Sequence, residues 1–245
     1  MILQSLCEYY QRKAELGEIA PFRLQHKEIP FIVVIDSDGN FLRIEDTREG
    51  EGKTKRAKTF LVPAETLGRS GKIGENPKTN KANLLWDNSQ FVFGIPKIVS
   101  EVEKKRILFL SKLKNTFSEP LASNIVAPLI RFLEKNPAQE IERILNERKD
   151  EAVLKIWNNE ISKGKVNLTF KLDGDSNTFA DNEALRDSYL NSEKSETSGS
   201  VRCLITGEKC EPKRIHSLIQ GVLNAQPSGA AIISFNLDAF KSYGK

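Results

Sequence analysis

The segment GRSGKIGENPKTNKANLLWDN, residues 68–88, gathers the side chains of this chain that are best suited to binding chemistry. Its basic residues offer positive charge, and each asparagine offers hydrogen-bond donors and acceptors in one planar group. Its glycines loosen the backbone, at a cost in ordering entropy. No packed core requires such a loop, so we expect it to bind a ligand. The residues concerned are Arg69, Ser70, Gly71, Lys72, Asn76, Lys78, Asn80, Lys81 and Asn83.

Positive charge is concentrated around this segment. Residues 53–81 hold eight Lys or Arg and two Glu, a net charge of +6, whereas the whole chain carries +4. A field concentrated in this way suits an anionic polymer better than a small anion. The alternative is a solvated loop whose lysines keep the protein soluble. We call residues 53–81 the basic segment. It adds four cations to the candidate nucleic-acid-binding residues: Lys53, Lys55, Arg56 and Lys58.

Two motifs resemble nucleotide and calcium sites without meeting their requirements. A P-loop needs G-x-x-x-x-G-K-[ST] between a strand and a helix. GEGKT, residues 50–54, has Thr47 at the first glycine position and precedes a strand-like run that ends at Pro63. DSDGN, residues 36–40, has Phe41 at the EF-hand glycine position, and no helix pattern flanks it. We interpret the first as a connection and the second as a hairpin turn.

No constellation typical of catalysis or of a metal site is visible. The two histidines are far apart, and the signatures of serine and cysteine hydrolases and of zinc proteases are absent. Cys203, Cys210 and His216 follow no zinc spacing, because they include no C-x-x-C pair and no evident fourth ligand. We therefore expect a protein that is not an enzyme and binds no metal or other cofactor. Pattern alone does not exclude a nuclease that uses carboxylates and metal.

Length and composition indicate a chain with a proper hydrophobic core. The 245 residues are 39% hydrophobic and 29% charged, enough for one large domain or two small ones. No apolar run approaches the roughly 18 residues of a membrane helix. Residues 1–16 have the spacing of an amphipathic helix and lack the features of a signal peptide. Three cysteines, an odd number, fit a reduced cytoplasm.

The N-terminal third is predicted to be mostly sheet. The β-branched run 31–35, the turn Asp38-Gly39 and the return at 41–44 predict a β-hairpin. KTFLVPAE, residues 58–65, predicts a third strand. NLLWDNSQFVFG, residues 83–94, predicts a fourth strand with a possible break at Asn88-Ser89. Its aromatic residues could stack on bases, but the alternation at 91 and 93 favours one buried strand face.

From Ser100 the hydrophobic period becomes helical. Ser100 and Glu103 form a capping-box pattern before a first helix, with an apolar face of Val102, Leu110, Leu113 and Phe117. A second helix is predicted over 121–133, kinked at Pro128, and a third begins at Asn136-Pro137. Further on, we predict a strand in 165–174, a short helix in 181–190, a polar linker in 191–200, and strands in 201–207 and 229–236.

These elements place the chain in the α+β class. We predict a mainly antiparallel sheet from the N- and C-terminal thirds with a helical middle segment. The chain divides into a strand-rich part, a helical part and a mixed part, residues 1–99, 100–162 and 163–245.

Several stretches, taken in order, resemble a known family: MILQSLCEYYQR, IPFIVVIDSDGNFLRIEDTRE, KTFLVPAE, KANLLWDNSQFVFG, CLITGEKCEPKRIHSLIQGV and SFNLDAFKSYGK. As a set they resemble the N-terminal region of the large subunit of type I-C CRISPR surveillance complexes, also called Cascade. The similarity spans nearly the whole chain and is loose over 101–162. Members of that family continue beyond the last of these stretches. The resemblance therefore implies an N-terminal domain, residues 1–245, without the C-terminal part of the full-length protein.

The resemblance implies a non-catalytic role in antiviral defence. Such subunits lie beside the 5′ handle of the crRNA, recognise a short protospacer-adjacent motif (PAM) in duplex DNA and assist strand opening. They also help to recruit a helicase–nuclease. The implied partners are crRNA, target double-stranded DNA, the other Cascade subunits and the helicase–nuclease, with no membrane involved.

The resemblance also implies roles for the basic segment. KANLLWDN matches a Lys-x-Asn before a tryptophan in the family, so the resemblance implies that Lys81 and Asn83 correspond, as do Gly71, Lys72 and Ile73. Basic side chains would hold phosphates, and asparagines would bind base edges, including the A·T acceptors of the minor groove. We expect Asn83 to read the PAM and Lys81 to hold the backbone. The alternative is a structural Asn83 that hydrogen-bonds the backbone.

Two other functions stay open at this stage. One is an RNA-handle-binding or scaffold module of a ribonucleoprotein that has no DNA readout of its own. The other is a nucleotide-dependent enzyme built on GEGKT, against which the incomplete P-loop counts.

Overall fold

After an N-terminal helix, short strands make up most of the first third of the chain, and helices dominate its middle. The computed structural model describes residues 2–66, 81–96, 101–192, 201–203, 207, 209–210, 219, 223–224 and 230. The helices are α1 (Ile2–Glu15), α2 (Ser89–Phe93), α3 (Val102–Thr116), α4 (Pro120–Glu134), α5 (Pro137–Arg148), α6 (Glu151–Asn159) and α7 (Glu183–Ser192). The strands are β1 (Leu24–Glu28), β2 (Phe31–Ile35), β3 (Phe41–Asp46), β4 (Thr59–Pro63), β5 (Trp86–Asn88), β6 (Asn167–Leu172), β7 (Val201–Arg202) and β8 (Lys209–Cys210).

A four-stranded sheet in the order β3-β2-β6-β5 forms the centre of the fold. β2 and β3 form the predicted antiparallel hairpin, and β5 and β6 are also antiparallel. β2 and β6 pair in parallel, with Phe31 opposite Leu168 and Ile35 opposite Leu172. All five residues of β2 are buried, as expected for a central strand that is covered on both faces. The predicted α+β class is confirmed, and the one parallel pair of this sheet is an addition to it.

The β2–β3 turn is fixed by hydrogen bonds to one carboxylate. Asp36 Oδ1 accepts from the backbone N–H groups of Asp38 at 2.9 Å and Asn40 at 2.8 Å, and its Oδ2 accepts from Asn40 Nδ2 at 2.9 Å. Gly39 has φ +77°, and a Cβ there would lie 2.5 Å from the carbonyl oxygen of Pro128. DSDGN is therefore a hairpin turn, as the sequence predicted, and the structure adds that it packs on α4.

A second, two-stranded sheet joins β1 to β4. The two strands are antiparallel, with Leu24 opposite Pro63 and Glu28 opposite Thr59. β4 was predicted and β1 was not. Phe60 and Val62 on β4 are buried and belong to the main hydrophobic core, so this sheet is anchored to the rest of the fold through β4.

Helices α3 and α4 pack on the central sheet through aromatic rings. The ring of Phe170 on β6 lies 6.1 Å from that of Phe109 and 6.4 Å from that of Phe132, measured between centroids. In α3 the residue at 109 is fully buried, whereas the predicted Leu110 is only partly buried. α5 begins at Pro137 after Asn136, as predicted, and α6 was not predicted.

Only 86–88 of the predicted fourth strand, 83–94, is a strand, and it ends at the predicted break, Asn88-Ser89. β5 covers only Trp86–Asn88, and Ser89–Phe93 is a short helix. The cause is local: Asn88 Oδ1 accepts from the backbone N–H groups of Gln90 and Phe91, at 3.1 and 3.4 Å, and so caps the helix. Phe91 and Phe93 are buried as predicted, but they lie on a helix.

The C-terminal predictions are tested only in part. β7 and β8 pair antiparallel, with Val201 opposite Cys210, and β7 lies in the predicted strand 201–207. Helix α7 confirms the predicted short helix and extends two residues into the predicted linker. Ser100, the rest of that linker and most of 229–236 lie outside the described residues. Within the described ranges, no helix combines the length and the apolar character needed to cross a bilayer.

Candidate nucleic-acid interface

The connection from β3 to β4, residues 47–58, is held by its own backbone. Glu49 and Arg56 exchange two backbone hydrogen bonds, at 2.9 and 3.0 Å, and the N–H of Lys58 donates to the carbonyl of Thr47 at 3.3 Å. Gly52–Thr54, the core of the GEGKT motif, is one turn of 3-10 helix. The next element is β4, so no helix N-terminus follows that turn. We call residues 47–58 the basic turn.

The cations of the basic turn differ in how freely they can bind a ligand. Arg56 and Lys58 are exposed, and neither forms an ion pair with any residue that the structure describes. Lys58 Nζ lies 5.5 Å from the centre of the Phe60 ring. Lys55 Nζ lies 3.1 Å from Asp46 Oδ2. Lys53 lies in the 3-10 turn, and the structure does not describe its side chain.

A charge network ties the basic turn to the helical part of the fold. Arg48 donates to Asp46 at 2.8 Å and to both carboxylate oxygens of Glu160, at 2.5 and 3.0 Å. Its guanidinium carbon also lies 4.5 Å from the centre of the Phe31 ring. Burial alone would raise the pKa of Asp46, but hydrogen bonds from Arg48 and Lys55 outweigh burial and lower it to about 2. The network holds the first residues of the turn in place.

Seven of the candidate residues lie outside the described residues, and their roles stay predictions. They belong to the stretch 67–80, between β4 and β5. They are Arg69, Ser70, Gly71, Lys72, Asn76, Lys78 and Asn80.

The two ends of that stretch meet in a hydrogen-bonded cluster. Thr66 Oγ1 donates to the carbonyl of Ala82 at 2.8 Å, and the backbone N–H of Thr66 donates to Asn83 Oδ1 at 3.1 Å. The N–H of Asn83 in turn donates to Asp87 Oδ2 at 2.9 Å. We call Thr66, Ala82, Asn83 and Asp87 the loop base.

Asn83 has the environment of a structural residue. Its side chain is 1% exposed, and its Oδ1 is already bonded to the backbone of Thr66. In this conformation the amide does not reach solvent, so the geometry favours the structural alternative over direct base reading. Lys81 is half-buried and interacts with another residue of the protein. The predicted contact between Lys81 and a DNA phosphate stays a prediction.

The residues that follow the loop base anchor it to the core. Leu85 is buried in a left-handed conformation, with φ +63°, and its carbonyl accepts from Thr169 Oγ1 at 3.1 Å. Trp86 Nε1 donates to the carbonyl of Pro63 at 2.8 Å. Lys27 was not predicted as a site residue, yet its Nζ lies 5.1 Å from the centre of the Trp86 ring and 3.7 Å from Glu65 Oε2. An unpredicted strand carries Lys27, so no sequence signal linked it to this place.

The basic turn and the loop base lie at opposite ends of β4. The strand has five residues, so they are separated by roughly 17 Å at about 3.3 Å per residue. An extended anionic polymer could contact both ends at once, whereas a small anion could not.

The comparisons with known proteins identify a family. The family model described as CRISPR-associated protein (Cas_Csd1) matches residues 6–245. No curated protein matches the chain.

Within the part of the chain that the structure describes, no three His, Cys, Asp or Glu residues are grouped so that they could hold a metal ion.

Proposed function

Because the chain belongs to the CRISPR-associated Cas_Csd1 family, we propose that it is a non-catalytic, nucleic-acid-binding large subunit of a crRNA-guided type I-C antiviral complex. Its task is to recognise the PAM in duplex DNA, to assist strand opening and to recruit the helicase–nuclease. Its partners are the crRNA, the target DNA and the other subunits of the complex. Base pairing with the guide reads most of the target, so the protein needs to read only a few base pairs and the backbone.

The observation that carries this proposal is the pair of exposed cations just before β4. Arg56 and Lys58 are solvent-facing at one end of the strand, and the basic stretch 67–80 departs from the other end. The roughly 17 Å between the two ends corresponds to about five base pairs measured along the helix axis, since each strand of B-DNA carries one phosphate per about 3.4 Å of axis. Cations at both ends of β4 would hold the DNA at two points and set its register.

The test measures duplex binding by the assembled complex as a function of salt. The double variant Arg56→Ala/Lys58→Ala removes two exposed cations that make no ion pair with described residues. We expect weaker binding, by a similar factor on PAM and non-PAM duplexes. The slope of log affinity against log salt should fall by up to about 1.8, because each lost phosphate contact removes about 0.9.

The matched control is Lys104→Ala/Lys155→Ala, which removes two exposed cations from α3 and α6. If the control weakens DNA binding as much as the turn variant, the turn has no specific role. If the turn variant keeps full affinity for duplex DNA but loses affinity for the crRNA handle, the segment binds RNA instead. Binding that is insensitive to salt would remove the electrostatic basis of the proposal.

A further inference from the structure

A groove of about 840 Å³ opens beside a smaller cavity that is lined by Arg48 and Lys58 of the basic turn, and the two share Ser176, Asn177, Thr178 and Asp181. It lies between the middle of α4, the end of β6 and the start of α7. Its volume falls within the about 300–1,000 Å³ that is typical of ligand sites. It is lined by Asn124, Ile125, Pro128, Leu172, Asp175, Ser176, Asn177, Thr178, Phe179, Asp181, Asn182, Glu183 and Ala184.

The floor of the groove is apolar. Pro128 and Phe179 are buried there, and Ile125 and Leu172 are half-buried and pack on the main core. Such a floor favours an occupant with an apolar side chain, because contact removes apolar surface of both partners from water.

The rim of the groove is acidic. Asp175 and Glu183 are exposed and form no ion pair with the described residues, and the lining includes no Lys or Arg. Asp181 has a structural role, since its Oδ2 accepts from the N–H and the Oγ1 of Thr178, at 3.1 and 2.8 Å. The N-terminus of α7 contributes only about half a positive charge, which Glu183 alone exceeds. The two exposed carboxylates therefore favour a cationic occupant on the side of the groove where they lie.

Amide side chains complete the rim. Asn182 Oδ1 accepts from the N–H of Leu185 at 3.2 Å, close to the start of α7. Asn124 and Asn177 are exposed. An amide group offers both a donor and an acceptor, which matches the N–H and C=O groups of a peptide backbone.

We propose that this groove docks a basic, amphipathic peptide segment of a partner protein. An apolar side chain of that segment lies on the floor, and its neighbouring Lys or Arg side chains pair with Asp175 and Glu183. The inference goes beyond nucleic-acid binding and does not depend on it, because it rests on Asp175 and Glu183, which line the groove and not the neighbouring cavity of the basic turn.

The test uses the full chain and a fluorescein-labelled peptide in which Leu alternates with Lys, followed by fluorescence anisotropy. We expect saturable binding that weakens roughly fivefold in Asp175→Asn/Glu183→Gln, since exposed ion pairs contribute modestly. The matched control, Glu8→Gln/Asp187→Asn, neutralises two exposed carboxylates outside the groove and should bind as the parent does. Melting temperatures of both variants should equal that of the parent, which shows that the fold is intact.

Three outcomes would overturn the proposal. These are no saturable binding, an equal loss in the control variant, and equal binding of a peptide with Glu in place of Lys. Duplex binding by the same variants is measured in parallel. We expect the groove variant to keep the duplex affinity of the parent, so failure here and failure of the DNA-binding proposal are separate results.

Discussion

The basic turn and the loop base use similar polar residues in opposite ways. In the basic turn, backbone bonds between Glu49 and Arg56 hold the chain, which leaves the Arg56 side chain in solvent. In the loop base, the side chains of Asn83 and Asp87 are themselves the hydrogen-bond partners, and both residues are 1% exposed. A polar side chain is available to a ligand only where other groups support the backbone. The first region therefore suits binding, and the second suits positioning.

The largest effect is expected from Asp87→Ala in the loop base. The carboxylate of Asp87 accepts from the N–H of the buried Asn83 at 2.9 Å and from the N–H of the half-buried Asn88 at 2.7 Å. Its loss should lower the free energy of unfolding by about 2–4 kcal/mol, because an orphaned buried N–H costs about 1–3 kcal/mol and a half-buried one costs less. Chemical denaturation measures this. Asp187→Ala, at an exposed site, is the control. If Asp87→Ala lowers the free energy of unfolding by less than about 1 kcal/mol, the loop base does not stabilise the fold as described.

Asn83→Ala separates the structural role of this residue from base reading. A structural Asn83 predicts a loss of about 1–3 kcal/mol, since the N–H of Thr66 loses its acceptor. The melting temperature should fall, and the ratio of affinities for PAM and non-PAM duplexes should stay the same. Asn115→Ala, at an exposed position of α3, is the control. An unchanged melting temperature with a smaller PAM ratio would restore Asn83 to the reading role.

Asp46 gives the basic turn a pH dependence. Its pKa is lowered from 3.8 to about 2, so ionised Asp46 stabilises the fold above about pH 4, and this contribution is lost as the pH falls toward 2. The shift corresponds to about 2 kcal/mol. We expect Asp46→Asn to be less stable than the parent by about that amount at pH 7. The difference should shrink on acidification, as followed by denaturation at several pH values. A difference that does not vary between pH 7 and pH 3 would contradict this account.

The smallest effect is expected from Lys55→Ala. Lys55 is exposed and paired with Asp46 at 3.1 Å, and such pairs contribute about 0.2–1 kcal/mol. The pair must also break before Lys55 can hold a phosphate. We therefore expect the salt slope of duplex binding to change less in Lys55→Ala than in Arg56→Ala, measured under the same conditions. Equal changes would show that the ion pair does not restrain Lys55.

The sequence predicted elements best where short-range patterns decide them. The β2–β3 hairpin follows from a β-branched run and an Asp-Gly turn, and the start of α5 follows from Pro137, since the side chain of Asn136 makes no capping hydrogen bond. The alternation of Phe91 and Phe93 misled the prediction of a strand. Three consecutive residues there, Phe91, Val92 and Phe93, are buried, so the alternation of aromatic residues does not mark one face of a strand. The capping hydrogen bonds of Asn88 favour a helix instead.

The sequence by itself determined where the positive charge lies, which runs form the hairpin and the main helices, and that the aromatic residues after the basic segment are buried. Only the tertiary structure decided that β2 and β6 pair in parallel, since residues more than a hundred positions apart meet there. It also decided that Asn83 is buried while Arg56 is exposed. Both are polar residues between strands, so the neighbouring sequence does not show which of them is buried. Burial depends on which other residues pack against them, and that is a property of the whole fold.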